Sequence, residues 1–388
     1  MRNIIEPAGQ IFLRLILMIV IPMIFSALIL GVFELGSSKG LGKVVRKTIF
    51  FTIMASAASV VVGVSLVNFF QPGVGFQREG QVIEDVSKIK KNAEAASSPA
   101  QAIVNLIPKN PVEAAARAFD GEIVAFMIFC LIFGLALSLG PARDGAVKVV
   151  IPLMEQIFAA SMKIIDWAMS IAPIGVFALV SLTAFKHGYG IFANLLFYIL
   201  VVVAGLLIQQ FVVYSLLLKF VAKTSPVKFF KHCKEVYLYA FSTSSSNATL
   251  PKALHTAEHI LKHPSQISRF VLTVGSTANQ NGTALFEGVT VLFLAQVYNI
   301  DLSMTQQVQV VLMSILAGIG TAGVPGGSLP LIMILLQSVG IPPEGLGLIL
   351  GVDRFLDMCR TTLNVSGDLV ISELVSKSHE RELGVKTG

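Results

Sequence analysis

Apolar residues run along this chain in blocks too long for the stripes of a soluble fold. Leu15–Phe33, Ile49–Phe70, Ile123–Leu139 and Ile191–Leu218 are almost continuous runs. Each reaches the roughly 17–25 residues that a helix needs to cross a bilayer core. A longer segment is predicted over about 147–185, with Pro152 and Pro173 expected to bend or break it. Residues 74–108 are polar and rich in Ala, Ser and Lys, and read as an extramembrane loop. Ahead of the first run, Met1–Gln10 carries Glu6 and lacks a basic n-region, so no cleavable signal is read there.

Past residue 220 the pattern changes. Ala240–Pro251 reads AFSTSSSNATLP and Gly318–Pro330 reads GIGTAGVPGGSLP, small residues set within apolar sequence. Neither suits a continuous spanning helix, and irregular backbone at membrane depth survives only inside protein or along a cavity. Two such interruptions in one half of a chain point to a transporter binding site. The competing reading is a pair of surface loops, for which the flanking apolar runs are short.

Composition agrees with a membrane setting. Charged residues make up 13% of the chain and hydrophobic ones 54%, against about 25% charged in a soluble domain. The net charge of +6 is concentrated at Lys39, Lys43, Arg46 and Lys47, at Lys219, Lys223, Lys228, Lys231 and Lys234, and near Lys252 and Lys262. Basic loops between apolar spans are expected to be cytoplasmic. Scattered in this way, they make no nucleic-acid footprint. Cys130, Cys233 and Cys359 have no paired spacing and read as free thiols.

The last apolar stretch carries Asp353, Asp357, Arg360, Asn364 and Asp368, at offsets 0, 4, 7, 11 and 15. At about 100° per residue they fall in a stripe of roughly 80° on one helix face. Ionisable groups in a span normally face a bundle interior or a cavity. Arg suits bidentate binding of a carboxylate, and Asp357 suits an ammonium, a match for an acidic amino acid. A buried ion pair that only fixes packing is the alternative. Arg354 lies about 100° away from Asp353 and is expected to snorkel or pack elsewhere. A second polar cluster, Ser276–Thr283, suggests an unwound helix whose oxygens hold a hard cation, or else polar glue between helices. Glu287, four residues beyond Thr283, is a candidate proton carrier, or a carboxylate held by a partner.

With AFSTSSSNATLP, Asn279–Thr283, GTAGVPGG and VDRFLDMCRTTLNVSGDL (Val352–Leu369) in this order, the chain resembles the dicarboxylate/amino acid:cation symporters over nearly its whole length. These include archaeal aspartate transporters and mammalian excitatory amino acid transporters. The resemblance implies an all-α polytopic protein of the cell (inner or plasma) membrane, not an enzyme, working as a homotrimer by an elevator mechanism. It implies a scaffold helix over 1–45, a transport-domain helix over 46–78, and scaffold helices with an extracellular loop over 79–189. The rest, 190–388, would be the transport domain. It would hold re-entrant hairpins near 229–263 and 306–340, an unwound helix over 267–297 and a substrate-binding helix over 342–376.

By the same resemblance, Arg360 and Thr283 would hold the side-chain carboxylate of an acidic amino acid, and Asp357 and Thr361 its amine. Asn364 and Ser246 would hold the main-chain carboxylate, with Ser244, Ser245, Val324 and Ser328 closing the pocket. One sodium site would use Gly275, Asn279, Asn364 and Asp368, and a second Thr277, Gly318, Ile319 and Thr321. The family motif Asn-Met-Asp-Gly-Thr is here Asn279-Gln280-Asn281-Gly282-Thr283. The helix that usually adds Tyr, Thr and Ser offers Thr52, Ala55 and Ser56. A third sodium site is therefore expected to be lost, leaving fewer than three sodium ions, with protons as a further coupling ion. Gln280 also leaves the second site open to question. The chain begins at what resembles the family's second helix.

C4-dicarboxylates and neutral amino acids are alternative cargoes, disfavoured by Asp357 and Arg360 respectively. A channel would need a continuous polar pore, and an enzyme a nucleophile with a base. Ser244–Ser246 have no His within a helical turn, and His232, His255, His259 and His263 lie in basic segments that read as loops.

Overall fold

The computed structural model describes residues 7, 10–12, 14–15, 18–36, 42–74, 104, 107–118, 122–139, 142–187, 191–320, 326 and 328–382. Helices account for almost all of them, and no strand occurs among the described residues. The apolar runs form α1 (Val20–Gly36), α2 (Gly42–Phe70), α3 (Ile123–Ser138), α4 (Ile151–His187) and α5. The last begins as Ile191–Ile208 and continues to Ala222 through wide turns at Gln209–Val213 and Leu217–Ala222. Of the expected loop over 74–108, most lies outside the described residues.

Two segments, Gly42–Phe70 and Asn194–Ala222, are long and apolar enough to cross a membrane. Their outer faces expose large side chains, among them Phe69 at 80% and Phe220 at 67%. Contiguous apolar surface of this kind needs a cover, and the bilayer supplies one.

Of the expected bend or break at Pro152 and Pro173, the break does not occur: α4 is continuous through both. Pro152 follows directly on helical turns over 142–150, so its missing N–H is accommodated within a continuous helix rather than at a free helix start. A wide turn at Ala146–Val150 comes just before it. At Pro173 the helix runs on, giving up one backbone bond, as membrane helices do where neighbouring groups take over the freed carbonyl.

The second half is built around two interior helices. In α9 (Asn281–Val297) every residue except Gln296 is buried, the mark of a helix enclosed on all sides. It packs against α2, α5, α10 (Met304–Gly320) and α12 (Leu346–Glu382). By contrast, α1 packs on α3 and α4, where Phe25 stacks on Phe126 and Phe133 at centroid distances of 6.3 Å.

Both interrupted segments form pairs of helices. In the first, α6 (Pro226–Thr243) ends at Ser244, whose φ of 51° is left-handed, and α7 (Ser246–His255) starts after Ser245. Ser245 turns its hydroxyl back to accept from the amide of Ala248 at 3.2 Å, an ordinary helix cap. In the second pair, α10 is followed by α11 (Leu329–Ser338). Between the pairs, α8 (Ser265–Ala278) gives way to α9 after only Asn279 and Gln280, a shorter break than the eight-residue cluster predicts.

The basic ends of several helices meet. Lys47 of α2 binds Glu382 of α12 at 2.8 Å, Arg381 donates to the carbonyl of Val221 at 2.6 Å, and Lys252 of α7 binds Glu235 of α6 at 2.7 Å. Lys47 and Arg381 thus bring the ends of α2, α5 and α12 together, though these residues are far apart in sequence.

Candidate functional site

The stripe on α12 folds inward. Arg360 is 1% exposed, and its Nη1 donates to Asp353 at 2.8 Å. Nη2 lies 3.1 Å from Asp357 yet makes no hydrogen bond, so a buried donor is left over. Positions seven and three residues away on a helix share its face, which is why one guanidinium reaches both acids. The Phe286 ring of α9 covers the guanidinium at 4.3 Å, a contact worth up to about 2 kcal/mol when desolvated. Sequence reading placed Asp353 on this face but gave it no partner, and missed Phe286. Arg354 keeps its side chain exposed, as the snorkelling alternative expects, and comes to 3.9 Å from Asp357 at the rim because residues three apart on a helix are neighbours.

The second helix pair approaches the same acid. The amide of Gly326 donates to Asp357 at 3.3 Å, and Ser328 is buried with an unpartnered hydroxyl. Val324 and Thr321 lie outside the described residues, and for Ile319 only the helical backbone is described. From the first pair, Ser244 is buried with its hydroxyl also unpartnered, and Ser246 is buried at the start of α7, which packs on α12. Thr361 is buried next to Arg360.

Asn364 is committed to the protein itself. Its carbonyl accepts from the amides of Gly282 at 2.7 Å and Thr283 at 3.4 Å. Its Nδ2 donates to Gln280 at 2.5 Å and to Thr283 Oγ1 at 3.1 Å. The side chain therefore holds the broken start of α9 against α12, and binding a substrate carboxylate requires it to exchange partners. The two helices touch closely here: a Cβ on Gly282 would stand 2.5 Å from the carbonyl oxygen of Arg360. Glycine is required at that contact.

Beyond the break, Asn279 donates to Asp368 at 2.7 Å while its own Oδ1 is buried without a partner. Asp368 also presses on Gly275, where any Cβ would collide with the carboxylate. A carboxylate beside an unsatisfied amide oxygen is a donor set suited to a hard cation such as sodium. Of the second proposed set, Thr277 bonds its own helix at Val274, and Gly318 stands against Gln280, whose Nε2 donates to Ser276.

Asn281 behaves differently. Ser56 donates to its Oδ1 at 2.6 Å, its Nδ2 donates to Tyr214 at 2.9 Å, and Ser59 donates to its carbonyl at 2.7 Å. Every partner is neutral and the amide is satisfied by protein. Ala55 is buried nearby on α2 without a side-chain oxygen, and Thr52 is half-buried. Tyr214 enters from α5, a participant that spacing could not reveal. Glu287 is fully buried, with both carboxyl oxygens lacking a hydrogen-bond partner.

His263 lies in a connecting segment as expected, whereas His232, His255 and His259 are on helices. His255 and His259 sit on the end of α7 and the wide turn that extends it. His263 is buried, paired with Glu373 and 2.9 Å from Ser372. Thr224 completes this cluster by donating to Glu373 at 2.5 Å. A basic local sequence hid a polar core contact that only α12 creates.

Comparison with known proteins identifies the family. Residues 1–378 match the sodium:dicarboxylate symporter family. The proton/glutamate-aspartate symporter of Escherichia coli (strain K12) is 35% identical, over 97% of this chain and 85% of that protein. A proton/sodium-glutamate symport protein of Bacillus subtilis (strain 168) is 34% identical, over 96% and 86%. Excitatory amino acid transporter 3 of Mus musculus is 30% identical, over 97% and 79%. With a family match along almost all of its length and relatives this similar, the chain belongs to the sodium:dicarboxylate symporter family, a family of membrane transporters.

Proposed function

We propose that this chain is a secondary symporter that moves aspartate or glutamate across the cell membrane together with cations. The observation that carries this reading is Arg360: a fully buried guanidinium, paired with Asp353 and Asp357, that still has Nη2 unspent. An unsatisfied buried donor costs on the order of 1–3 kcal/mol, and more when charged. A substrate carboxylate relieves that cost, and Asp357, which then gives up part of its pairing with Arg360 and Gly326, meets the ammonium. The hydroxyls of Ser244 and Ser328, buried and unpartnered, supply further donors from the two helix pairs. Similarity to glutamate and aspartate symporters supports the same cargo. Asp357 disfavours C4-dicarboxylates and Arg360 disfavours neutral amino acids.

Sodium at Asp368 and Asn279 is the first coupling site, with Thr277 and the second helix pair contributing another. The saturated, neutral surroundings of Asn281 support the loss of a third. Glu287, buried without a hydrogen-bond partner, is the natural seat for a transported proton. The protein works as a multi-pass homotrimer. The helices around α9 and α12 move as an elevator against a scaffold that includes α1, α3 and α4. In this reading α6–α7 and α10–α11 are re-entrant hairpins, the second serving as the gate. Uptake of labelled aspartate into proteoliposomes, with sodium and pH gradients imposed separately, tests the function. Concentrative uptake under at least one gradient is expected, and uptake that ignores both would refute symport.

A further inference from the structure

Outside the transport site, one buried carboxylate gathers both feet of the first helix pair. The chain turns ahead of α6 at Lys223 and after α7 at Lys262, both left-handed with φ of 62° and 60°. A left-handed residue stops a helix and reverses the chain sharply. In each turn the next residue donates its amide to a carbonyl six positions back, Thr224 to Leu218 and His263 to Ala257, both at 2.9 Å. Two matching turns thus present Thr224 and His263, and both side chains meet Glu373 of α12. Thr224 donates to one carboxyl oxygen at 2.5 Å, and Nε2 of His263 pairs with the other. Ser372 meets the opposite ring nitrogen at 2.9 Å. Lys377, one turn further along α12, is bound to Glu380.

This clasp stands in register with the substrate site. Seven residues before Glu373, Ser366 of α12 donates to Tyr237 of α6 at 3.2 Å. Together the two contacts show that α6 and α12 run in opposite directions. Phe229, Cys233, Val236 and Ala240 form the buried face of α6, which packs on α12. Beyond Ser366, α12 presents Asn364, Thr361 and Arg360, while α6 runs on to the Ser244–Ser246 tip. Close-packed interiors are poorly compressible and transmit displacement. Where the feet are fixed therefore decides where the tip stands.

We propose, building on the reading of that tip as part of the acidic amino acid site, that Glu373 is a positioning residue for substrate binding. By holding Thr224 and His263 it sets Ser244–Ser246 against Asp357 and Arg360. Calorimetric titration of aspartate into the purified full-length protein in sodium, well below its unfolding temperature, tests it. Glu373→Ala should weaken aspartate binding roughly 10- to 100-fold, the scale of a misplacement of about 1 Å. Thr224→Val releases one foot only and should weaken binding several-fold; it decides the matter if Glu373→Ala does not fold. Glu373→Gln keeps a hydrogen-bonding partner for both residues and should hold affinity within about threefold of the parent. In a Ser244→Ala background Glu373→Ala should cost less than in the parent, since the two act through one tip. Arg360→Ala, measured alongside, separates the two readings. Aspartate affinity kept there refutes the pocket and with it the positioning role. Affinity lost there but unchanged per folded molecule in Glu373→Ala and Thr224→Val refutes the positioning role alone, because a purely structural clasp leaves fewer binding sites at the parent affinity.

Discussion

Neutralising Arg360 tests the site most directly. In Arg360→Ala, Asp353 loses its guanidinium at 2.8 Å and Asp357 loses the one at 3.1 Å, keeping only the exposed Arg354 at 3.9 Å, and Phe286 at 4.3 Å is uncovered. Removing one partner of a buried, hydrogen-bonded charge pair costs about 2–5 kcal/mol at a binding interface. For a dicarboxylic amino acid that corresponds to roughly 30- to 4,000-fold weaker binding, at 1.4 kcal/mol per factor of ten. A neutral amino acid of similar size brings no second carboxylate and should lose far less, so the ratio of the two affinities is the informative number. Calorimetric binding of aspartate and of serine to the purified variant in sodium measures it. Size-exclusion behaviour and retained serine binding identify a folded protein. Arg360→Lys keeps the charge but not the planar fork, and should fall between the variant and the parent. Aspartate affinity within threefold of the parent in folded Arg360→Ala would refute the pocket.

Four further outcomes follow from the geometry. Asn281→Asp places a charge among Ser56, Ser59 and Tyr214 and should steepen the dependence of aspartate binding on sodium; an unchanged Hill slope would count against a vacated third site. Glu287→Gln should abolish acceleration of uptake by a pH gradient while sparing aspartate exchange, and persistent pH-driven uptake would remove it as a proton carrier. Glu373→Ala leaves buried His263 and half-buried Thr224 without their partner, and the roughly 1–3 kcal/mol of an unsatisfied buried polar group should appear as a lower unfolding midpoint in thermal denaturation. Glu382 is held below the usual carboxylate range by the hydrogen bond from Lys47, then by the nearby Lys47 and Lys43 charges. A depressed pKa contributes stability that is complete above the unfolded value of about 4.3 and is lost as the pH falls through the folded value. Protection of residues 42–47 from hydrogen exchange, taken relative to the intrinsic amide rate at each pH, should accordingly fall on acidification below that range, and Glu382→Gln should remove the effect.

Sequence alone determined the membrane setting and the face of α12. Both are properties of one segment: an apolar run is long enough or it is not, and residues at offsets of 4 and 7 share a helix side whatever surrounds them. It also located both interruptions, since runs of Ser, Gly and Pro cannot continue a span. What it could not supply was partnership between segments. Asn364 was read as a substrate ligand, yet its amide clamps Gly282, Thr283 and Gln280 across the break. His263 was grouped with loop residues, yet Glu373, 110 positions away, makes it part of the core. Tyr214 at Asn281 and Phe286 at Arg360 were invisible for the same cause. A side chain's hydrogen bonds depend on which helices lie beside it, and local periodicity does not encode the neighbours that tertiary packing brings.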